Sequence, residues 1–254
     1  MVRLSFVFLS ASLLLLCDNN SAVAGQNTVT YTAKLGGTVQ CLREVNAARE
    51  LGHFTEATTD EKKISDPGEG ELAESKWKDL CEYLIPTPSE TYGAQKAVDP
   101  FKDGTYAFKS LTAEQPNCTE TIDYWKAAYK SFTGLPPAKG EAGTLYDNQD
   151  NISFVALYNP SSSATADCRV VTCTQKASPA ALSAGVSSGG NDANTKLGHA
   201  MLCKTTPTAF ENDSTAPFTQ EQWDKIKYSL TGSASIAAPS LVALAIVAFG
   251  ITAV

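Results

Sequence analysis

Apolar positions repeat with a period of 3.6 at four places along the chain, each with a recognisable boundary. About Gly37 to Leu51, Val39, Leu42, Val45 and Ala48 form one stripe, and Gly52 follows it. About Glu71 to Leu84, Ala73, Trp77, Leu80, Cys81 and Leu84 share a face that Pro86 ends. About Thr119 to Phe132, Ile122, Trp125, Tyr129 and Phe132 line up before Gly134 and Pro136. The fourth helix is expected to start at Thr219, with Gln222 placed to complete a capping box and Trp223, Ile226 and Leu230 as its apolar face. Ile152 to Tyr158, Cys168 to Thr174 and Leu197 to Thr205 are rich in β-branched and aromatic residues and predict strands. Gly104 to Leu111, where Tyr106 and Phe108 alternate with small or polar residues, predicts one more. Asp60 to Gly70, Gly134 to Asp150 and Gln175 to Lys196 are polar or small-residue stretches and predict loops; the last, poor in packing residues, is expected to be open to proteases. Helices flanking antiparallel strands imply an α+β domain.

The two ends follow different rules. Residues 1-24 carry Arg3, an apolar run from Leu4 to Cys17 and the small-residue exit Ala22-Val23-Ala24, the pattern of a signal peptide. Ser240 to Val254 is apolar or small and uncharged, follows the small polar stretch Ser229 to Ser235, and has no Lys or Arg after it. That pattern suits a glycosylphosphatidylinositol (GPI) attachment signal, with Gly232 or Ser233 as the attachment residue. The expected division is a leader at 1-24, an ectodomain at 25-232 and a removed propeptide at 233-254. The ectodomain would hold about 208 residues, ample for one core.

Of seven cysteines, Cys17 leaves with the leader, so six remain: Cys41, Cys81, Cys118, Cys168, Cys173 and Cys203. An even number in an exported chain points to three disulfides. Only Cys168 and Cys173 lie close in sequence, which is a poor zinc frame. Five apart on a regular strand, they face opposite sides and cannot pair with each other. The net charge of −7 gives no electrostatic reason to bind nucleic acid or anionic lipid, so membrane contact is expected through the anchor alone.

The order of motifs resembles the CAP superfamily of cysteine-rich secretory and pathogenesis-related proteins. Val45-Asn46-Ala47-Ala48-Arg49 is similar to the family's His-Asn-x-x-Arg helix, and Glu71 to Cys81 to its Trp- and Cys-bearing helix. Ile122-Asp123-Tyr124-Trp125 and Asp167 to Cys173 match a further helix and the two-cysteine strand. The likeness covers about Leu35 to Cys203 and implies a three-layer αβα sandwich with a mainly antiparallel central sheet. It also implies pairing of Cys81 with Cys173 and of Cys168 with Cys203, which leaves Cys41 with Cys118. The chain resembles still more closely the GPI-anchored surface antigens of the coccidian parasite Eimeria. The features shared with them are Cys-Arg-Val-Val-Thr-Cys at Cys168 to Cys173, the Ser/Ala/Gly loop after it and the helix that runs into the anchor signal. That resemblance implies a protein on the outer leaflet of the plasma membrane that meets a host-cell ligand and host antibodies.

The two His and two Glu of the CAP cleft are missing. No His lies between Cys81 and Gly104, Gly104-Thr105-Tyr106 replaces Gly-Glu-Asn, Ala128 stands for the helical Glu, and Asn151-Ile152-Ser153-Phe154 replaces the second His motif. Without paired imidazoles there is no expected zinc site, cofactor or general base, and no catalytic residue is assigned. Gly52-His53-Phe54-Thr55 matches the lost His motif in letters but comes too early in the chain, at a helix end. His199 is expected to be an ordinary strand residue. Trp77 and Trp125, on apolar stripes, are expected in the core. No Gly-x-Ser-x-Gly elbow, P-loop or dinucleotide fingerprint is present. Glycosylation sequons stand at Asn117, Asn151 and Asn212, while Pro160 excludes Asn159. The expected function is a non-enzymatic surface antigen active in attachment. Two alternatives are a lipid- or sterol-binding CAP-like module and a divergent hydrolase or metal site built on His53 with Glu56 or Asp60.

Overall fold

The computed structural model describes residues 29–38, 40–59, 63–73, 76–86, 104–177 and 195–232. The expected leader and propeptide both lie outside the described residues. The elements are β1 (Val29–Leu35), α1 (Leu42–Leu51), β2 (Thr58–Thr59), α2 (Lys76–Leu84), β3 (Thr105–Leu111), α3 (Cys118–Ala127), α4 (Gln149–Leu157), β4 (Thr165–Ala177), β5 (Thr195–Thr206) and α5 (Gln220–Thr231). The sheet runs β1-β4-β5-β3, antiparallel throughout, and the two residues of β2 add a short parallel pairing to β4.

The two-residue period of the strands sorts their side chains onto two cores. On one face Ala166, Cys168 and Val170 of β4 join Met201 and Cys203 of β5 and Ala107 of β3. These are covered by Val45 and Ala48 of α1, Ile122 and Trp125 of α3, most of α4, and Trp223 and Ile226 of α5. On the other face Val171 and Cys173 join Tyr31, Ala33, Phe108, Ala200 and Leu202, under Trp77, Leu80 and Cys81 of α2. The result is an αβα sandwich with, among the described residues, four helices on one side and one on the other. Trp77 and Trp125 are both buried, and the Trp125 indole donates to the carbonyl of Phe108 at 2.9 Å.

Four helices lie where the pattern places them, with shifted starts. α1 begins at Leu42 rather than Gly37 because Cys41 takes a left-handed conformation, φ 59°, that no helix continues through. Ahead of it, Gly36 and Gln40 donate their backbone N–H groups to Val170 and Cys168 of β4, so this stretch still tracks the sheet. α3 opens under the Asn117 side chain, which accepts from the Glu120 N–H, and closes in a 3₁₀ turn at Ala128–Ser131. At α5 the expected capping box forms: Thr219 Oγ1 accepts from Gln222 N and Gln222 Oε1 from Thr219 N.

One element contradicts the pattern. Ile152 to Tyr158, expected as a strand, is α4 and its cap. Seven of its nine helical residues are buried, and with no wet face the apolar run from Phe154 to Tyr158 carries no period that separates helix from strand. Its start is set by Asn148, whose side chain accepts from Asp150 N. The expected loop 134–150 accordingly holds two 3₁₀ turns and the first two residues of α4. β1 was not anticipated. In the expected loop 175–196, Gln175–Ala177 and Thr195–Lys196 extend β4 and β5, and 178–194 lie outside the described residues.

β3 is a sheet edge, yet its backbone is not left open. Ser153 Oγ accepts from Phe108 N at 2.9 Å, Gln149 Nε2 donates to Tyr106 O at 2.8 Å, and Trp125 takes the Phe108 carbonyl. Side chains of α3 and α4 stand in for the missing strand. On the opposite face, α2 approaches β5 at Gly198, where a Cβ would lie 2.7 Å from Ile85 Cγ1 and 3.0 Å from Leu84 Cβ. Gly198→Ala is therefore expected to push the end of α2 off the sheet and cost roughly 1–3 kcal/mol. Chemical unfolding of the variant checks this; a wild-type midpoint would mean that α2 moves freely.

Candidate functional site

Three disulfides brace the sandwich. Cys168 and Cys203 are directly paired residues of β4 and β5, Cα atoms 3.9 Å apart, on the four-helix face. Cys173, five residues on, faces the other way and bonds Cys81 of α2. Cys41 and Cys118 join the residue before α1 to the first residue of α3. No sulfur of the six is left to act as a nucleophile or ligand.

Three of the four positions that the CAP resemblance matches to cleft His and Glu are closed off, and the fourth, between Cys81 and Gly104, falls mostly outside the described residues. Thr105, Ala128 and Asn151 are all buried. Thr105 Oγ1 accepts from Ala209 N at 2.8 Å, and Asn151 Nδ2 donates to Leu145 O at 2.8 Å. These side chains hold loops in place. His53 is exposed in a left-handed turn just past α1, φ 62°, with its N–H donated to Glu50 O. Of its two suggested partners, Glu56 is exposed and Asp60 lies outside the described residues. His199 sits on β5 with Nδ1 3.0 Å from Thr172 Oγ1. Among the described residues no group of three or more His, Cys, Asp or Glu is placed to hold a metal ion.

Asn151 also corrects an expectation about glycans. It is 3% exposed within α4 and its amide nitrogen is spent on Leu145, so a glycan there is incompatible with this packing. Asn212 and Asn117 are exposed, although Asn117 caps α3 and adjoins a bonded cysteine. Glycopeptide mapping after expression in a glycosylating cell is expected to find Asn212 modified more fully than Asn117 and Asn151 bare. A glycan on Asn151 in folded protein would count against the α4 packing.

A cleft that no single motif announces lies at the end of the sheet where α5 begins. Its volume is about 470 Å³, and Asn159, Ser161, Thr208, Glu211, Phe218 and Gln222 are among its lining. Two segments far apart in sequence build it: the turn after α4, and the chain that follows the cis Thr206-Pro207 bond. The sequence offered only turn signals here, Asn159-Pro160, Thr206-Pro207 and Ala216-Pro217. Asn159 is fully engaged: Nδ2 donates to Thr205 Oγ1 at 3.1 Å and Pro207 O at 2.7 Å, and Oδ1 accepts from Ser161 N. Gln222 is committed to the capping box. The lining mixes hydroxyls, amides, prolines and one aromatic ring, and is not the apolar channel a sterol would need.

Behind Asn159 lies Arg49, fully buried. Its Nε donates to Thr55 O at 3.0 Å, and Nη1 donates to Leu157 O at 3.2 Å and Asn159 O at 3.0 Å. The guanidinium carbon is 5.7 Å from the Phe54 ring centre, and Nη2 has no partner among the described residues. Burial lowers its pKa to about 10, so it stays charged at neutral pH. Desolvation, helped by the hydrogen bond to Asp150, likewise pushes the Tyr124 phenol up to about 12. Arg49 thus ties the end of α1 to the end of α4 by backbone carbonyls.

Fold and site together define a disulfide-braced α+β module whose buried polar side chains are largely committed to hydrogen bonds within the fold. The sequence model of the sporozoite surface antigen (SAG) protein domain matches residues 37–245. Over 243 residues the chain is 30% identical to the sporulated oocyst TA4 antigen of Eimeria tenella, covering 91% of this chain and 87% of that one. The chain belongs to the sporozoite surface antigen family. No solved structure matches it.

Proposed function

We propose that this protein is a GPI-anchored, non-enzymatic antigen of an apicomplexan parasite. It would be displayed on the outer leaflet and act in attachment to a host-cell ligand while exposed to host antibodies. Membership of the sporozoite surface antigen family carries this reading. The apolar ends of the chain support export and lipid anchoring. The burial of Thr105, Ala128 and Asn151, each committed to packing or hydrogen bonds, supports a role without catalysis. Among the described residues no helix is long and apolar enough to cross a membrane, which is compatible with a lipid anchor.

Attachment is tested with protein released from expressing cells by phosphatidylinositol-specific phospholipase C. It is expected to bind host epithelial cells saturably and to compete with parasites for them. Release without any such binding would leave the antigen and remove the attachment role.

A further inference from the structure

Large apolar side chains exposed among the described residues are few: Leu51, Tyr124, Leu135, Leu197 and Tyr228. Scattered singly, such residues need no explanation. Two of them, Leu51 and Tyr228, gather at one end of the molecule. Tyr228 is the most exposed, at 72%, and its ring lies against the end of α5: a Cβ on Gly232 would be 3.2 Å from Tyr228 Cε2. Leu51, 57% exposed, is the last residue of α1. The next residue, Gly52, packs on Tyr158, with 3.1 Å between its would-be Cβ and Tyr158 Cε1. Tyr158 is hydrogen-bonded in turn to Ser229 of α5. The ends of α1, α4 and α5 therefore converge around Tyr158, with Leu51 one residue before Gly52 and Tyr228 one residue before Ser229.

This is also where the described residues end, at Gly232. Thr231 is the last residue of α5, so attachment at Gly232 or Ser233 would leave at most one residue between the helix and the lipid-bearing carboxyl. We propose that this end of the domain, with Tyr228 beside Gly232 and Leu51 at the converging end of α1, is a membrane-seating face that rests on the headgroup layer of the outer leaflet. The inference rests on the anchored reading above and adds an orientation to it. A tyrosine ring is suited to the interface because its body is apolar and its hydroxyl stays hydrated. Lys227, exposed beside it, can meet lipid phosphate. The glycan of the anchor permits contact but does not hold the domain down; the exposed apolar pair supplies that attraction. Seated so, the opposite end of the sheet, where α2 and Leu197 lie, faces outward.

Leu197 provides the control. It is 60% exposed on β5, eight residues from Thr205, whose Oγ1 bonds Asn159 and lies 3.4 Å from Ala156 O at the end of α4. Eight strand residues span about 26 Å. All three native tryptophans are buried, so an introduced surface indole is a distinct probe. The full chain, expressed on cells and recovered in phosphatidylcholine vesicles, is compared as Tyr228→Trp and Leu197→Trp with nitroxide-labelled lipid near the glycerol. The Tyr228→Trp emission is expected to fall about twofold and to recover on phospholipase C release, with no change for Leu197→Trp. Release by the phospholipase without quenching at position 228 would overturn the seating and leave the anchor standing. A blue-shifted but unquenched Tyr228→Trp would also overturn it, showing that protein and not lipid covers the ring. If the phospholipase releases nothing, the anchored reading fails and this inference falls with it.

Discussion

Replacing Cys81 and Cys173 together by alanine is expected to lower the unfolding free energy by about 4–5 kcal/mol, from loop-closure entropy alone. The two residues are 92 apart in sequence, the widest separation of the three bonds. The loss should also be local. α2 is the sole helix among the described residues on its face of the sheet, and Cys81–Cys173 is its one disulfide to the sheet among them. Hydrogen exchange of Lys76–Leu84 in the variant should approach that of an unfolded segment while β4 and β5 remain protected. An unchanged exchange pattern in α2 would show that Trp77 and Leu80 hold it without the sulfur bridge.

Arg49→Met is expected to destabilise the domain by about 2–4 kcal/mol, although two effects oppose each other. Methionine removes a buried cation that has no carboxylate partner, which relieves a desolvation cost. It also leaves the carbonyls of Thr55, Leu157 and Asn159 without the donors that satisfy them. Each such loss costs about 1–3 kcal/mol, so three of them outweigh one relieved charge. Arg49→Lys should recover only part of the loss, because a single ammonium cannot reproduce the planar fork of donors. Chemical unfolding of the two variants decides the matter. Wild-type stability in Arg49→Met would mean that desolvation dominates and that the three carbonyls find other donors.

What the sequence revealed depended on whether an element keeps one face wet. α1, α2, α3 and α5 are buried on one side, and their 3.6 period was readable from Val45 and Ala48, from Trp77, Leu80 and Cys81, from Ile122 and Trp125, and from Trp223 and Ile226. α4, buried between β3 and the outer helices, lost that contrast and resembled a strand. The same logic made Cys168 and Cys173 informative: an odd spacing on a regular strand assigns them to opposite cores, as found. The start of α1 was misplaced because nothing in a cysteine's identity announces a positive φ. The cleft was invisible for a different reason. Its walls come from 159–162 and 207–222, and their proximity arises from pairing of β4 with β5 and from Asn159 reaching Pro207. Arg49 closes the Val45 to Arg49 motif and so stood out in the sequence, but its role in tying α1 to α4 emerges only from its three carbonyl partners.

The three sulfur bridges overlap like links of a chain along the sequence: 41 to 118 crosses 81 to 173, which crosses 168 to 203. Any single backbone cut between Cys41 and Cys203 therefore leaves one covalent molecule. Across 178–194, Cys168–Cys203 alone spans the cut. A nicked antigen would run as one band on a non-reducing gel and as two after reduction. A scission there would keep both fragments, and any epitope composed from both, in one covalent molecule.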